Sequence, residues 1–96
     1  MKHILDKLNK SEEVEFNPRG NSMTPKIKSG QLVKIKKIDE KEKENLKKGD
    51  IVFCKVKGNY YLHLITSIGK GKIQIGNNHG KINGWTDLKN VYAILV

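Results

Sequence analysis

Ile51-Val52-Phe53-Cys54-Lys55-Val56-Lys57-Gly58-Asn59-Tyr60-Tyr61-Leu62-His63-Leu64-Ile65-Thr66-Ser67-Ile68-Gly69-Lys70-Gly71-Lys72-Ile73-Gln74-Ile75 is the stretch that decides the fold class. Its runs of β-branched and aromatic residues are too short for buried helices and are bounded by turn formers. Ile51 to Lys57 reads as a strand, and Gly58-Asn59 as a two-residue hairpin turn. Tyr60 to Ile68 is the return strand, Gly69-Lys70-Gly71 a second hairpin turn, and Lys72 to Ile75 its partner strand. A lone histidine, His63, sits inside the apolar return strand, and Cys54 reads as a buried strand thiol.

Outward from this centre the pattern continues. Ile4, Leu5 and Leu8 fall at helical spacing among lysines, which predicts a short amphipathic helix within residues 1–12. Val14-Glu15-Phe16 alternates like a strand and leads into the turn Gly20-Asn21-Ser22-Met23-Thr24-Pro25. Pro25 disfavours helical backbone at Thr24 and stiffens this turn. Gln31 to Ile38 reads as a strand with outward lysines. Asp39 to Lys48 is almost entirely charged and fits an exposed loop or one helical turn; Gly49-Asp50 is a turn. Gly76 to Gly84 reads as a Gly/Asn-rich loop, followed by Trp85 and a Thr86-capped turn through Asn90. Val91 to Val96 fits a terminal buried strand. The expectation is a mainly β domain over residues 13–96, with five or six short antiparallel strands behind the N-terminal helix.

A chain of 96 residues supports one domain with a modest core. The net charge of +9 points to anionic partners such as a nucleotide, nucleic acid or an acidic protein. Arg19 is the sole arginine, however, and lysines spread over every segment equally describe a solvated surface. One cysteine allows no internal disulfide and suits a reducing compartment. No apolar run reaches membrane-span length, and the charged N-terminal residues lack a signal-peptide core. A soluble, cytoplasmic protein is expected. His3, Cys54, His63 and His79 form no recognised ligand spacing, so no metal is expected. Gly69-Lys70-Gly71 is too short for a phosphate loop, and no cofactor is implied.

A serine on a constrained turn and a histidine on a strand are the minimum parts of a hydroxyl nucleophile and its base. Ser22 and His63 are the candidates; as alternatives, Ser22 is an ordinary turn residue and His63 a satisfied core histidine. Met23 suits a core or pocket floor. Asn77, Asn78, Lys81 and Trp85 form a candidate loop for a polar or stacked ligand, against a structural loop with Trp85 plugging the core edge.

In order, Gly20-x-Ser22-Met23-x-Pro25, Gly30-Gln31-Leu32-Val33, Lys48-Gly49-Asp50-Ile51-Val52, Tyr61-Leu62-His63-Leu64-Ile65, and Gly76-Asn77-Asn78 with Val91-Tyr92-Ala93 resemble the boxes of the LexA-like and type I signal peptidase clan of serine peptidases. The resemblance spans residues 14–96 and implies a curled antiparallel sheet or partly open barrel. It also implies a peptide or protein substrate, with a Ser22/His63 dyad of the histidine-base variety in which Ser22 attacks and His63 carries the proton. Met23 and Pro25 would belong to the nucleophile box and its pocket, and the Ser22 N–H would serve as oxyanion donor. The acidic third member of the histidine-type enzymes corresponds to Asn77 here, with Asp87 as a substitute. Neither a membrane anchor nor a DNA-binding domain is expected beside the boxes. The alternative is a member of the same fold without proteolysis, acting as a basic binding module for an anionic ligand or as an inhibitor of a partner protein. A small lysine-rich domain of this kind also suits a phage or mobile-element product.

Overall fold

The computed structural model describes residues 2–96; Met1, the first residue of the N-terminal segment, lies outside them. The helix α1 (Lys2–Leu8) is followed by strands β1 (Glu13–Phe16) and β2 (Val33–Lys37), then the one-turn helix α2 (Glu40–Lys43). Strands β3 (Ile51–Val56), β4 (Asn59–Gly69), β5 (Lys72–Gly76), β6 (Ile82–Asp87) and β7 (Val91–Leu95) complete the chain, with a short 3₁₀ turn at Leu88–Asn90. They form a seven-stranded antiparallel sheet in the order β1-β2-β7-β3-β4-β5-β6.

β3 is central, and both its faces are covered. Phe53 joins a cluster on one face with Ile4, Leu8, Val14, Met23, Ile27, Ile35 and Leu62. Val52, Cys54 and Val56 join Ile65, Ile73, Ile75 and Val91 on the other. This double burial explains why β3 reads as a continuous apolar run rather than an alternating one. Burial pushes the Cys54 thiol up to about 12, so it is an inert core group. β2 alternates as its sequence suggests, with Val33 and Ile35 buried and Lys34 and Lys36 outward. Helix α1 docks Ile4 and Leu8, one turn apart, into the first cluster.

The sheet curls without closing. Although three strands apart in the order, β6 folds back toward β3, and the Thr86 hydroxyl donates to the Lys55 carbonyl at 2.8 Å. β1 and β6 remain the two edges.

The structure departs from the sequence reading in several places. Among the described residues there are seven strands, because Ile82–Asp87 pairs along β5 from Gly76↔Ile82 to Lys72↔Asp87. Asn83 and Gly84 argue against a strand locally; the ladder to β5 and the packing on β3 override that preference. Thr86 therefore caps no turn: its hydroxyl is shared between Lys55 and the Asn90 amide. The first hairpin turn is Lys57-Gly58, since Val56 pairs directly with Asn59. Both turn residues have positive φ, 51° and 85°, which gives the tight turn the right-handed twist its strands need. The second turn narrows to Lys70-Gly71 because Gly69 pairs with Lys72. In the charged segment, α2 is held by a capping box between Asp39 and Glu42, and Lys43 is buried against its Glu40 partner at 3.1 Å.

Candidate active site

Ser22 and His63 lie forty-one residues apart in the chain and meet in the structure. The Ser22 Oγ is 3.0 Å from His63 Nε2. On the opposite side of the ring, His63 Nδ1 is 2.7 Å from Asn83 Oδ1. An amide oxygen only accepts, so Nδ1 carries the proton and donates to Asn83. The Nε2 lone pair then faces the serine hydroxyl, which donates to it. The ring is packed against Tyr61, centroid to centroid 4.9 Å. His63 is only 9% exposed. Its pKa is lowered from the ordinary 6.5, first by burial and also by the positive charge of Lys81, while the bond to Asn83 pulls the other way. The imidazole is thus held neutral near physiological pH.

Each partner is positioned by a different device. The Ser22 turn is clasped by the loop between β5 and β6. The Asn78 N–H donates to the Ser22 carbonyl and the Asn78 side-chain amide to the Thr24 carbonyl, both at 2.8 Å. His79 Nε2 lies 2.8 Å from the Asn21 carbonyl. The loop is itself cinched by Asn77, whose Oδ1 accepts from the N–H groups of His79 and Lys81. The Ser22 N–H has no intramolecular acceptor among the described residues.

Asn83 reaches His63 through a β-bulge. Ile75 pairs with Gly84 and Gly76 with Ile82, so Asn83 is the extra residue left without a partner. Such bulges bend a strand and re-aim a side chain. Two glycines make room. Gly84 takes φ +139°, outside the ordinary range for other residues. Gly76 sits where a Cβ would meet the Lys81 carbonyl at 2.8 Å and the Thr66 methyl at 3.0 Å. Gly76→Ala forces Lys81, at the entrance to β6, away from β5. The expected cost is about 1–3 kcal/mol of stability. The shift also loosens the His63–Asn83 bond, which a thermal melt and a histidine Nδ1–H proton signal would register together.

Asn83, rather than Asp87 or Asn77, occupies the position beside Nδ1. Asp87 is turned toward Lys72, 3.6 Å away on β5, and Asn77 is consumed within its own loop. No periodicity or motif in the sequence marks Asn83, because a bulge depends on how two ladders fall out of step. Met23 is 4% exposed and contributes to both the first core cluster and the cleft beside Ser22. Pro25 is exposed, follows a cis peptide bond and lies off the cleft. The residues expected to form a ligand loop are dispersed. Asn77 and Asn78 spend their side chains on internal bonds, Lys81 acts on His63 by its charge, and Trp85 lies 45% exposed over Gly69.

The cleft runs from Pro18 and Arg19 past Ser22 and Met23 to Tyr60 and His63. One wall is the first half of β4. Residues Asn59 to Leu64 pair with β3 on one edge, but β5 joins the other edge only from Leu64 onward. The backbone of Asn59 to His63 thus presents an unpaired strand edge that leads up to the Ser22–His63 pair. No cluster of His, Cys, Asp and Glu suited to a metal exists among the described residues. No helix among them is long and apolar enough to cross a membrane.

The model of a family described as Peptidase S24-like matches residues 8–80, three quarters of the chain including Ser22 and His63. No curated protein matches the chain.

Proposed function

Because the chain belongs to the Peptidase S24-like family, we propose that it is a serine peptidase in which Ser22 is the nucleophile, His63 the general base and Asn83 the residue that orients the base. The observation that carries this reading is the continuous relay Ser22 Oγ–His63 Nε2 and His63 Nδ1–Asn83 Oδ1, at 3.0 and 2.7 Å. A serine hydroxyl is a poor nucleophile until an adjacent base takes its proton, and this base is neutral, correctly tautomeric and within hydrogen-bond reach.

An extended peptide would add to the open edge of β4, where main-chain hydrogen bonds give affinity whatever the side chains. Its scissile carbonyl would then lie beside the Ser22 turn. Attack by Oγ forms the tetrahedral intermediate as His63 takes the hydroxyl proton. The uncommitted Ser22 N–H is suited to the oxyanion. His63 returns the proton to the leaving amine, and water repeats the sequence on the acyl-enzyme. Asn83 fixes the ring as a carboxylate would, as in the Cys-His-Asn variant of the triad, but supplies no negative charge to the imidazolium.

A fluorophosphonate probe tests the proposal. One mole of probe is expected to couple per mole of protein, at Ser22 by peptide mass mapping, and Ser22→Ala is expected to abolish coupling. Failure of the folded protein to react would instead favour the second reading, a basic binding module on the same fold, for which the charge of +9 is the supporting observation.

A further inference from the structure

From the charges along the cleft we infer that its preferred substrates are acidic segments, with a carboxylate side chain near the scissile bond engaging Arg19. This rests on the peptidase reading for its substrate and deepens it.

Arg19 borders the same cleft as Ser22 and His63. It is exposed and makes no ion pair among the described residues. The backbone that carries it is nevertheless fixed. The chain around it is tied down by the Gly30 N–H to the Pro18 carbonyl at 2.8 Å, and by the Gly20 N–H to the Ser29 hydroxyl at 3.0 Å. The guanidinium lies across Gly30, where a Cβ would come within 3.3 Å of Nη1. Gly30 has φ +81°, so the residue that leaves this space is also one the backbone requires. A planar fork at a cleft rim with its donors free is suited to bidentate capture of a carboxylate.

Two lysines add charge of the same sign around the cleft. Lys55 stands over the Tyr60 ring, 5.3 Å from its centroid, and Lys81 is near enough to His63 to act on its pKa. No Asp or Glu lines the cleft. Glu15 borders the adjoining groove that Arg19 also touches, without pairing to it. Arg19 precedes Ser22 by three positions, so their backbones lie roughly 10 Å apart at most. The acidic residue is therefore expected among the few positions flanking the cut bond.

The test uses the Ser22→Ala protein, which leaves peptides intact, and labelled peptides differing only in one residue. That residue is Glu, Gln or Lys, walked across the positions flanking a fixed centre, with affinity read by fluorescence anisotropy. The Glu peptide is expected to bind about 3- to 10-fold more tightly than the Gln peptide at one or two adjacent positions. Adding Arg19→Gln should erase that step, and Arg19→Glu should transfer the preference to Lys. Lys41→Gln, an equal loss of charge on α2 away from the cleft, should preserve it. A preference that survives Arg19→Gln, an equal loss in Lys41→Gln, or no binding by any peptide overturns the inference. Probe coupling at Ser22 in the unaltered protein is read separately, so a cleft that couples the probe but ignores Glu refutes only the acidic preference.

Discussion

His63→Ala is expected, on the proposed mechanism, to lower kcat/KM for peptide cleavage by about 10²–10⁴-fold, since general-base removal costs that much; because the ring is buried, a circular dichroism spectrum matching that of the unaltered protein is the control for folding. The loss should fall on kcat, because a proton transfer made in the transition state is what disappears. In the unaltered protein the acid limb of the pH profile reports the same ring. Burial lowers the His63 pKa below 6.5, so activity should persist below the pH at which a free histidine protonates, and fall as pH drops through the lowered value. Asn83→Asp supplies the missing carboxylate. A negative charge at 2.7 Å from Nδ1 favours the imidazolium, so the acid limb should move upward and the plateau rate rise. Asn83→Ala should lower kcat without moving the peptide affinity, because only the ring's orientation is lost. An unchanged pH profile in Asn83→Asp would remove Asn83 from the mechanism. Stability carries the same signature. The folded ring holds its proton less tightly than the unfolded chain does, so the unfolded state binds more protons below pH 6.5. The stability contributed by neutral His63 is present above that value and is lost as pH falls through the lowered folded value.

Phe53→Ala is expected to destabilise the protein by about 3–5 kcal/mol, measured by urea denaturation. Phe53 has no exposed surface and stacks on Tyr60 at 5.9 Å, with Tyr92 tilted against it at the same distance. Truncation leaves a hole on the central strand, between α1 and the sheet. Domains of this size are stable by only ~5–15 kcal/mol, so a large share of the margin goes. Because Tyr60 forms part of the cleft wall, peptide binding should weaken even where the variant remains folded. A loss below about 1 kcal/mol would mean that the first cluster is not a close-packed core.

What could be read in the chain and what could not divide along one physical line. Alternating Val33 and Ile35, the β-branched runs of β3 to β5, and the Gly-containing turns each act over a few residues, and they indicated an antiparallel β domain with a short leading helix. The candidate serine and histidine were visible for the same reason: a serine on a stiff turn and a histidine in an apolar run are local anomalies. Asn83 was not visible. Its role depends on a ladder slipping by one residue between Ile75 and Gly76, and on Gly76 leaving space for the Lys81 carbonyl. Strand β6 is not legible in the sequence because its stability comes from β5 and from contact with β3, not from its own residues. The position of Arg19 depends likewise on hydrogen bonds from Gly20 and Gly30 that join two distant parts of one turn. Short-range preference is written in neighbouring side chains. Register, bulges and the meeting of Ser22 with His63 are settled only when non-adjacent strands compete for the same backbone groups and the same space.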